Sequence, residues 1–451
     1  MGVWQRIRCS ALSFLSVSTE WQRRLGYAYA HLVRGSLSGD WFGMRSETVV
    51  LDGHIIDSLV LSKVLDTVLL LGAQYEVQMF RMGRTKEEPS HAEILVTAPD
   101  AETLEQVLHE IGQLGAVRRL PEEPVLRPSP ADGVFPDGFY STTNLDTWIW
   151  LEGHWVPVED IEMDCGILVD RQAKAPAARC VSLAKVRKGD LIVVGDTGVR
   201  VAPLPRVEPS SAFHFMGSGV SSERRKEIVV AAVARAMHEC RRDGKDILFV
   251  GGPAIIHTGA GQYLEALILA GWIDVLFSGN ALATHDIEQA LYGTSLGVNL
   301  KTGLAAAHGH EHHLRAINTI RAAGGIAAAV ERGLIQSGIM RACILKTVPF
   351  VLAGSIRDDG PLPEVITDTL AAQDAMRRYI RNVGLAIMVA TTLHAVATGN
   401  LLKASVTTIC VDNDPDTVIK LLDRGSHQAY GLVTDCEFFL KELAAQLGLN
   451  S

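Results

Sequence analysis

Cysteine pairs, basic blocks and long apolar runs are all scarce in this sequence. The seven cysteines (Cys9, Cys165, Cys180, Cys240, Cys343, Cys410, Cys436) are an odd number, and no two are spaced as CxxC. That scatter argues against a disulfide framework and a zinc ribbon, and fits a reducing cytoplasm. Lys plus Arg number 42 against 51 Asp plus Glu, a formal charge of −9 spread along the chain. Nucleic-acid binding needs a basic face, so no such partner is expected. Residues 1–19 hold Arg6, Arg8 and a short apolar stretch broken by Ser13 and Ser16, a poor signal peptide. The uncharged run from Asn382 to Leu402 has the length to span a bilayer. Thr391, Thr392, His394, Thr398 and Asn400 interrupt it, so it reads as a buried helix beside a ligand pocket, and no membrane partner is expected.

What is present is core. Of the 451 residues, 47% are hydrophobic and 21% charged, enough for about three domains of roughly 150 residues each. Residues 1–43, with five arginines and a Ser/Gly-rich end, read as a poorly ordered extension. Over 44–120 the pattern runs strand, helix, strand, strand, helix, strand, which predicts a ferredoxin-like module with its helices on one face. Five prolines between Pro121 and Pro136 make 121–138 a stiff connector. Short β-rich runs separated by Glu152-Gly153, Lys188-Gly189 and Asp196-Thr197-Gly198 predict a small, barrel-like β subdomain over 139–206. From 207 to 451 apolar strands alternate with helices, the pattern of a doubly wound parallel sheet of Rossmann-like type. The fold class is therefore α/β, and the ligand crevice belongs at the carboxyl ends of the strands.

Those strand ends are rich in glycine. Gly251-Gly252-Pro253, Ser278-Gly279-Asn280-Ala281 and Ala353-Gly354-Ser355 each follow an apolar strand. Bare backbone lets a dinucleotide approach, and helix N-terminal N–H groups meet its phosphates. No GxGxxG follows a strand, since Gly217-Ser218-Gly219-Val220 lacks the third glycine. Asp412 ends a strand and is followed by Asn413, Asp414 and Pro415. An acid there accepts both hydroxyls of an adenosine ribose, favouring NAD, while Asp414 caps the helix that Pro415 begins.

Arg357, Asp358 and Asp359 place one cation and two acids in a strand-end loop, the unlike partners that an amino acid's carboxylate and ammonium groups require. The competing reading is a surface salt-bridge loop. Arg315 is a second cation able to hold a carboxylate bidentately. His308, His310, His312 and His313 do not form HExxH and have no cysteine nearby, so they read as a hydrogen-bonded helix start and no metal is expected. His285 and Asp286 are as readily a capping pair as a catalytic one. Tyr140-Ser141-Thr142-Thr143-Asn144 reads as turn chemistry.

With these residues in view the sequence resembles the archaeal-type ornithine cyclodeaminase family. The stretches that carry the likeness include SETVVLDGHIIDSLVLSKVLD (Ser46 to Asp66), GGPAIIHTGAG, VLFSGNALATHDIE, HHLRAINTIRAAGGIAAAVE, VPFVLAGSIRDDGPLPEVITD and VDNDPDTVIKLLDRGS. The first part is similar to the conserved region of the bifunctional lysine-ketoglutarate reductase/saccharopine dehydrogenase, and the last domain to the NAD-binding fold of deoxyhypusine synthase. The resemblance implies conversion of L-ornithine to L-proline and ammonia, with NAD taking hydride from the α-carbon and returning it to the cyclic imine. It also implies a cofactor site at Asn280, Ala281, Asp359, Thr391, Thr392, Leu393, His394, Asp412 and Asn413. Asp358 or Asp359 is then the general base, and Arg315 or Arg357 the carboxylate anchor. Some relatives carry an arginine-hydrolysing domain in front; with 43 residues before the first motif, that activity is not expected here. The expected partner is the small amino-acid substrate, in an assembly of identical chains. The rival readings are a net dehydrogenase or imine reductase acting on an amino-acid or opine-type substrate, and a sensor that binds amino acid and NAD without turnover.

Overall fold

The structure is a computed structural model that describes residues 44–56, 58–85, 88–171, 176–202, 226–299, 304, 309–358, 360–424 and 429–449. The extension at 1–43, Gly217 to Gly219, His308 and Asp359 lie outside the described residues.

The first sheet forms because β3 (Ser90–Ala98) alternates strictly, with Ala92, Ile94, Val96 and Ala98 all turned inward. It pairs antiparallel with β1 (Arg45–Gly53) and β2 (Gln74–Arg81), and β1 also holds the short β4 (Val117–Arg118), giving the order β2-β3-β1-β4. Helices α1 (Val60–Leu70) and α2 (Ala101–Gln113) cover the inner face through Val64, Val68, Leu104, Val107 and Ile111. Asp100 accepts the Thr103 N–H at 2.7 Å and caps α2. This is the expected ferredoxin-like order.

The second sheet has the order β11-β6-β7-β9-β8-β10-β5, built from β5 (Val125–Pro128), β6 (Thr147–Leu151), β7 (His154–Glu159), β8 (Gly166–Asp170), β9 (Ala177–Val181), β10 (Leu191–Val194) and β11 (Val199–Val201). The Glu152-Gly153 turn between β6 and β7 has φ of +50° and +82°, the mirror-image turn that matches strand twist, and glycine suits its second position. β5 lies inside the proline-rich stretch that reads as a connector. An edge strand tolerates Pro128 because only one of its sides must donate to a neighbour.

The third sheet is wholly parallel, in the order β17-β16-β13-β12-β18-β19-β20. Its strands are β12 (Asp246–Gly251), β13 (Val275–Gly279), β16 (Phe350–Ala353), β17 (Val365–Ile366), β18 (Val383–Val389), β19 (Thr407–Asp412) and β20 (Ala429–Val433); a hairpin of β14 (Thr294–Ser295) and β15 (Val298–Asn299) stands outside it. Both faces are covered. Ile247 and Phe249 point into a core shared with α3 (Lys226–Arg242), α5 (Gly261–Leu269), α6 (Asn280–Tyr292), α7 (His312–Ala323), α9 (Ile339–Lys346) and α13 (Cys436–Gln446). Leu248 and Val250 point into a second core with α10 (Thr369–Tyr379), α11 (Leu393–Leu401) and α12 (Pro415–Arg424). Two short helices, α4 (Ala254–His257) and α8 (Ile326–Glu331), complete this unit.

One expectation is corrected here. Asn382 to Leu402 is not a single buried helix but a strand, a turn and a helix: β18, then Ala390 to Thr392, then α11. A strand buried on both faces shows no alternation, so its apolar run is indistinguishable from a buried helix. Ala390, at φ +53°, ends the strand abruptly and would break any helix through it. No described helix is long and apolar enough to cross a membrane.

Several polar contacts tie the sheets together. Gln113 Nε2 donates to the Tyr140 hydroxyl (3.2 Å) between the first and second units. The Ala404 N–H donates to the Asn144 carbonyl (2.9 Å), and Arg377 binds Glu162 (2.8 Å), between the second and third.

Candidate active site

Strand order locates the crevice. The chain steps outward from β12 through β13 and β16 to β17, then returns to the other side of β12 with β18 and steps outward again to β20. The switch point therefore lies between the carboxyl ends of β12 and β18, where a parallel sheet opens a cleft.

At that point the two loops touch through bare backbone. A Cβ on Gly252 would stand 1.7 Å from the Ala390 carbonyl oxygen, and the Gly252 N–H donates to the Val389 carbonyl at 3.0 Å. Only glycine fits, and Ala390 is held in a left-handed conformation beside it. Next along the rim, the His394 ring lies against Gly279; a Cβ there would meet its Cε1 at 2.9 Å. Burial lowers the pKa of His394, with the negative charge of Asp358 pulling the other way, so the imidazole is neutral at pH 7 and faces a carboxylate.

The other expected residues distribute around this pair. Asn280 is buried and its Oδ1 accepts from the Leu362 N–H (3.0 Å) and the Thr284 hydroxyl (3.2 Å), tying the start of α6 to the loop after Gly360. Ala281 is half-buried in the first turn of α6. Asp358 accepts the Ser355 N–H at 2.8 Å, which folds its loop back on itself, and Arg357 is exposed on that loop. Thr392 and Leu393 are exposed, Leu393 at 75%, a large apolar side chain left bare at the mouth of the crevice; Thr391 is half-buried behind them. Asp412 is half-buried at the end of β19, with Oδ1 accepting the Asp414 N–H at 3.0 Å and Asn413 exposed beside it. Asp414 accepts from the Asp416 N–H and the Thr417 hydroxyl, so it caps α12 while Asp412 points from the sheet.

Arg315 is not brought to this group. It lies on the exposed side of α7, paired with Glu311 through Nε (2.9 Å) and Nη2 (2.5 Å). His312 hydrogen-bonds Thr294 Oγ1 (2.8 Å) and stacks on Tyr292. Asp286 is a cap, but of α9 rather than of its own helix: its two oxygens accept the Ile339 and Met340 N–H groups, both at 2.8 Å. Burial pushes its pKa up to about 7, against those two donors.

The sequence reading missed Glu288. It is fully buried and accepts from His285 Nδ1 (2.9 Å), the Thr294 hydroxyl (2.9 Å) and the Leu296 and Gly297 N–H groups. Burial raises its pKa, but these bonds outweigh it and hold the carboxyl below its ordinary value. The His257 ring meets His285 edge-on at 4.8 Å and bonds Ser295 at 2.7 Å, so the cluster fixes the β14–β15 hairpin. Its only local signal was the three-residue spacing of His285 and Glu288.

Sequence comparison places this geometry. Ornithine cyclodeaminase of Methanothermobacter thermautotrophicus is 50% identical over 405 residues, 90% of this chain and 98% of the relative. The chain belongs to the archaeal-type ornithine cyclodeaminase family. Ornithine cyclodeaminase of Archaeoglobus fulgidus, at 49% over 399 residues, covers 88% of this chain and 97% of its own. Residues 46–145 match the model of the LOR/SDH bifunctional enzyme conserved region, 146–230 that of the arginine dihydrolase ArgZ-like C-terminal first region, and 231–443 that of the ArgZ-like C-terminal Rossmann fold. The family's fold is seen in the crystal structure of a conserved putative LOR/SDH protein from Methanococcus maripaludis S2, 47% identical, with a TM-score of 0.68 over 73% of this chain and 98% of that one. Apo ArgZ, a cyanobacterial arginine dihydrolase, aligns at 35% identity and a TM-score of 0.76 over 90% of this chain and 57% of its own.

Proposed function

We propose that the protein is an NAD-dependent ornithine cyclodeaminase, converting L-ornithine to L-proline and ammonia. The observation that carries this reading is the switch-point crevice, where Gly252, Gly279, Asp358, His394 and Asp412 meet at neighbouring strand ends, on a chain half identical to proteins named ornithine cyclodeaminase.

The donor set fits a dinucleotide. Gly251 and Gly252, packed closely against their neighbours, keep side chains off the floor of the crevice, and Asp412 stands where a parallel sheet offers a carboxylate to the ribose hydroxyls. Asn280, Ala281, Thr391, Thr392, Leu393, His394 and Asn413 would line it, together with Asp359. When bound, NAD supplies the hydride acceptor for the α-carbon and the donor that returns hydride.

The chain's own residues do the rest. Arg357 anchors the substrate carboxylate in preference to Arg315, whose guanidinium is committed to Glu311. A free alkyl amine has a pKa of about 10, so the δ-ammonium must lose a proton before it attacks. Asp358 and the neutral His394 receive that proton, with Asp359 the alternative base on the same loop. The apolar Leu393 at the mouth keeps water from the reacting carbon. Among the described residues the six cysteines are buried and free, which suits cytoplasmic residence, and the exposed Val77, Met79 and Phe80 of edge strand β2 suit assembly with identical chains.

The test is product analysis with ornithine, with and without NAD. Proline and ammonia should appear in equal amounts, only with NAD, and with no lasting NADH absorbance. Accumulating NADH would replace this reading with a net dehydrogenase, and ligand-induced stabilisation without products would replace it with a sensor.

A further inference from the structure

A large cavity lies apart from the crevice at the strand carboxyl ends. It lies at the opposite end of the parallel sheet, between the second and third units, with a volume of about 770 Å³. Its walls include the start of β18 (Val383 to Leu385), the end of α11 (Leu401) and β9 of the neighbouring sheet. That volume is ample for an organic metabolite.

The charges on its walls are unevenly satisfied. Glu162 is bound by Arg377 (2.8 Å), Asp374 by both Lys185 and Arg377 (2.7 Å each), and Asp160 lies 4.0 Å from Arg381. Lys245 reaches Asn382, and Asp243 pairs with Arg242. Three cations, Arg179, Arg378 and Lys403, have no side-chain partner among the described residues, against one such acid, Glu239. The surplus is positive on a chain whose overall charge is −9. Arg179 projects from the β subdomain, and Arg378 and Lys403 from the Rossmann-like unit, so the unpaired cations face one space from two bodies. Leu401, Val406 and Ile380 supply apolar wall between them.

We propose that this cleft is a second ligand site, taking a small organic polyanion that bears carboxylate or phosphate groups and is bound by Arg179, Arg378 and Lys403. Such a ligand bridges the two units and reaches the crevice through shared elements. β18 begins at the cavity and ends at Val389, roughly 20 Å away at about 3.3 Å per residue; α11 begins with Leu393 and His394 in the crevice and ends at the cavity. A ligand that fixes one end of this strand and helix shifts the other, and the coupling is reciprocal. The site does not depend on the identity of the reaction.

Titration calorimetry on the full chain tests it, using citrate and inorganic pyrophosphate as separate probes. Saturable binding of at least one is expected, and should weaken at least about tenfold in Arg378→Gln/Lys403→Gln and in Arg179→Gln. NAD binding by the same variants, all exposed and unpaired positions, should stay within about twofold of the parent, which guards against misfolding. Citrate alone binding identifies a carboxylate ligand, pyrophosphate alone a phosphate, and both a general anion site. No saturable heat from either probe up to about 10 mM, or equal affinity in parent and variants, overturns the proposal.

Discussion

Asp412 and His394 test the crevice one atom group at a time. Under the proposed function Asp412→Asn keeps the shape and removes the charge that meets the ribose hydroxyls. A charged hydrogen bond contributes about 1.5–3 kcal/mol, so NAD should bind on the order of ten- to a hundredfold more weakly, read by fluorescence titration, with far less change in turnover at saturating NAD. His394 has a pKa below its ordinary 6.5 because burial disfavours the imidazolium. The unfolded chain therefore takes up a proton near pH 6.5 that the folded chain refuses until lower pH. Stability should fall as pH drops below 6.5, and His394→Gln should flatten that part of the curve, measured as the urea midpoint between pH 7.5 and 5.5. A variant with the parent's slope would show that His394 titrates normally.

At the scale of elements, the crevice depends on how closely β12 and β18 approach at their ends. Gly252→Ala would set a methyl group 1.7 Å from the Ala390 carbonyl, and Ala390 directly follows a strand paired on both sides. The backbone must move, so a loss of about 4 kcal/mol or outright failure to fold is expected in denaturant unfolding. This same contact explains what was legible in the sequence. Glycine turns after apolar strands, Pro415 after a capping Asp414, and the alternation in β3 each have a local cause, so they could be read from neighbours alone. The β18 strand could not: Val383–Val389 is apolar on both faces, and only its place beside β12, more than a hundred residues earlier, makes it a strand. Glu288 was equally hidden, because its partners Leu296 and Gly297 become partners only once the hairpin folds back. Arg315 shows the converse. Its neighbour on the helix surface, Glu311, engages the guanidinium that the sequence offers to a substrate carboxylate.

Across the whole molecule, polar contacts help join the three sheets, and Arg377 makes one of them. It binds Glu162 of the β subdomain and Asp374 of its own helix, and Glu162 also accepts from the Cys165 thiol. Arg377→Ala leaves Glu162, 11% exposed at its side chain, without its cation. A loss of about 2 kcal/mol is expected after allowing for partial exposure. It should appear as faster hydrogen exchange in β8 and β9 than in the core of the parallel sheet; uniform acceleration would mean the pair stabilises the fold without joining the units.

The strand order also sets a timetable for synthesis. β12, β13, β16 and β17 leave the ribosome first and can pair among themselves, but β12 keeps one side open until residues 383–389 emerge. For that interval a buried-type strand, Asp246–Gly251, presents its unpaired N–H and C=O groups and its apolar faces to the surroundings. The half-built sheet is thus the species most prone to associate wrongly, and its hazard ends when β18 closes against it.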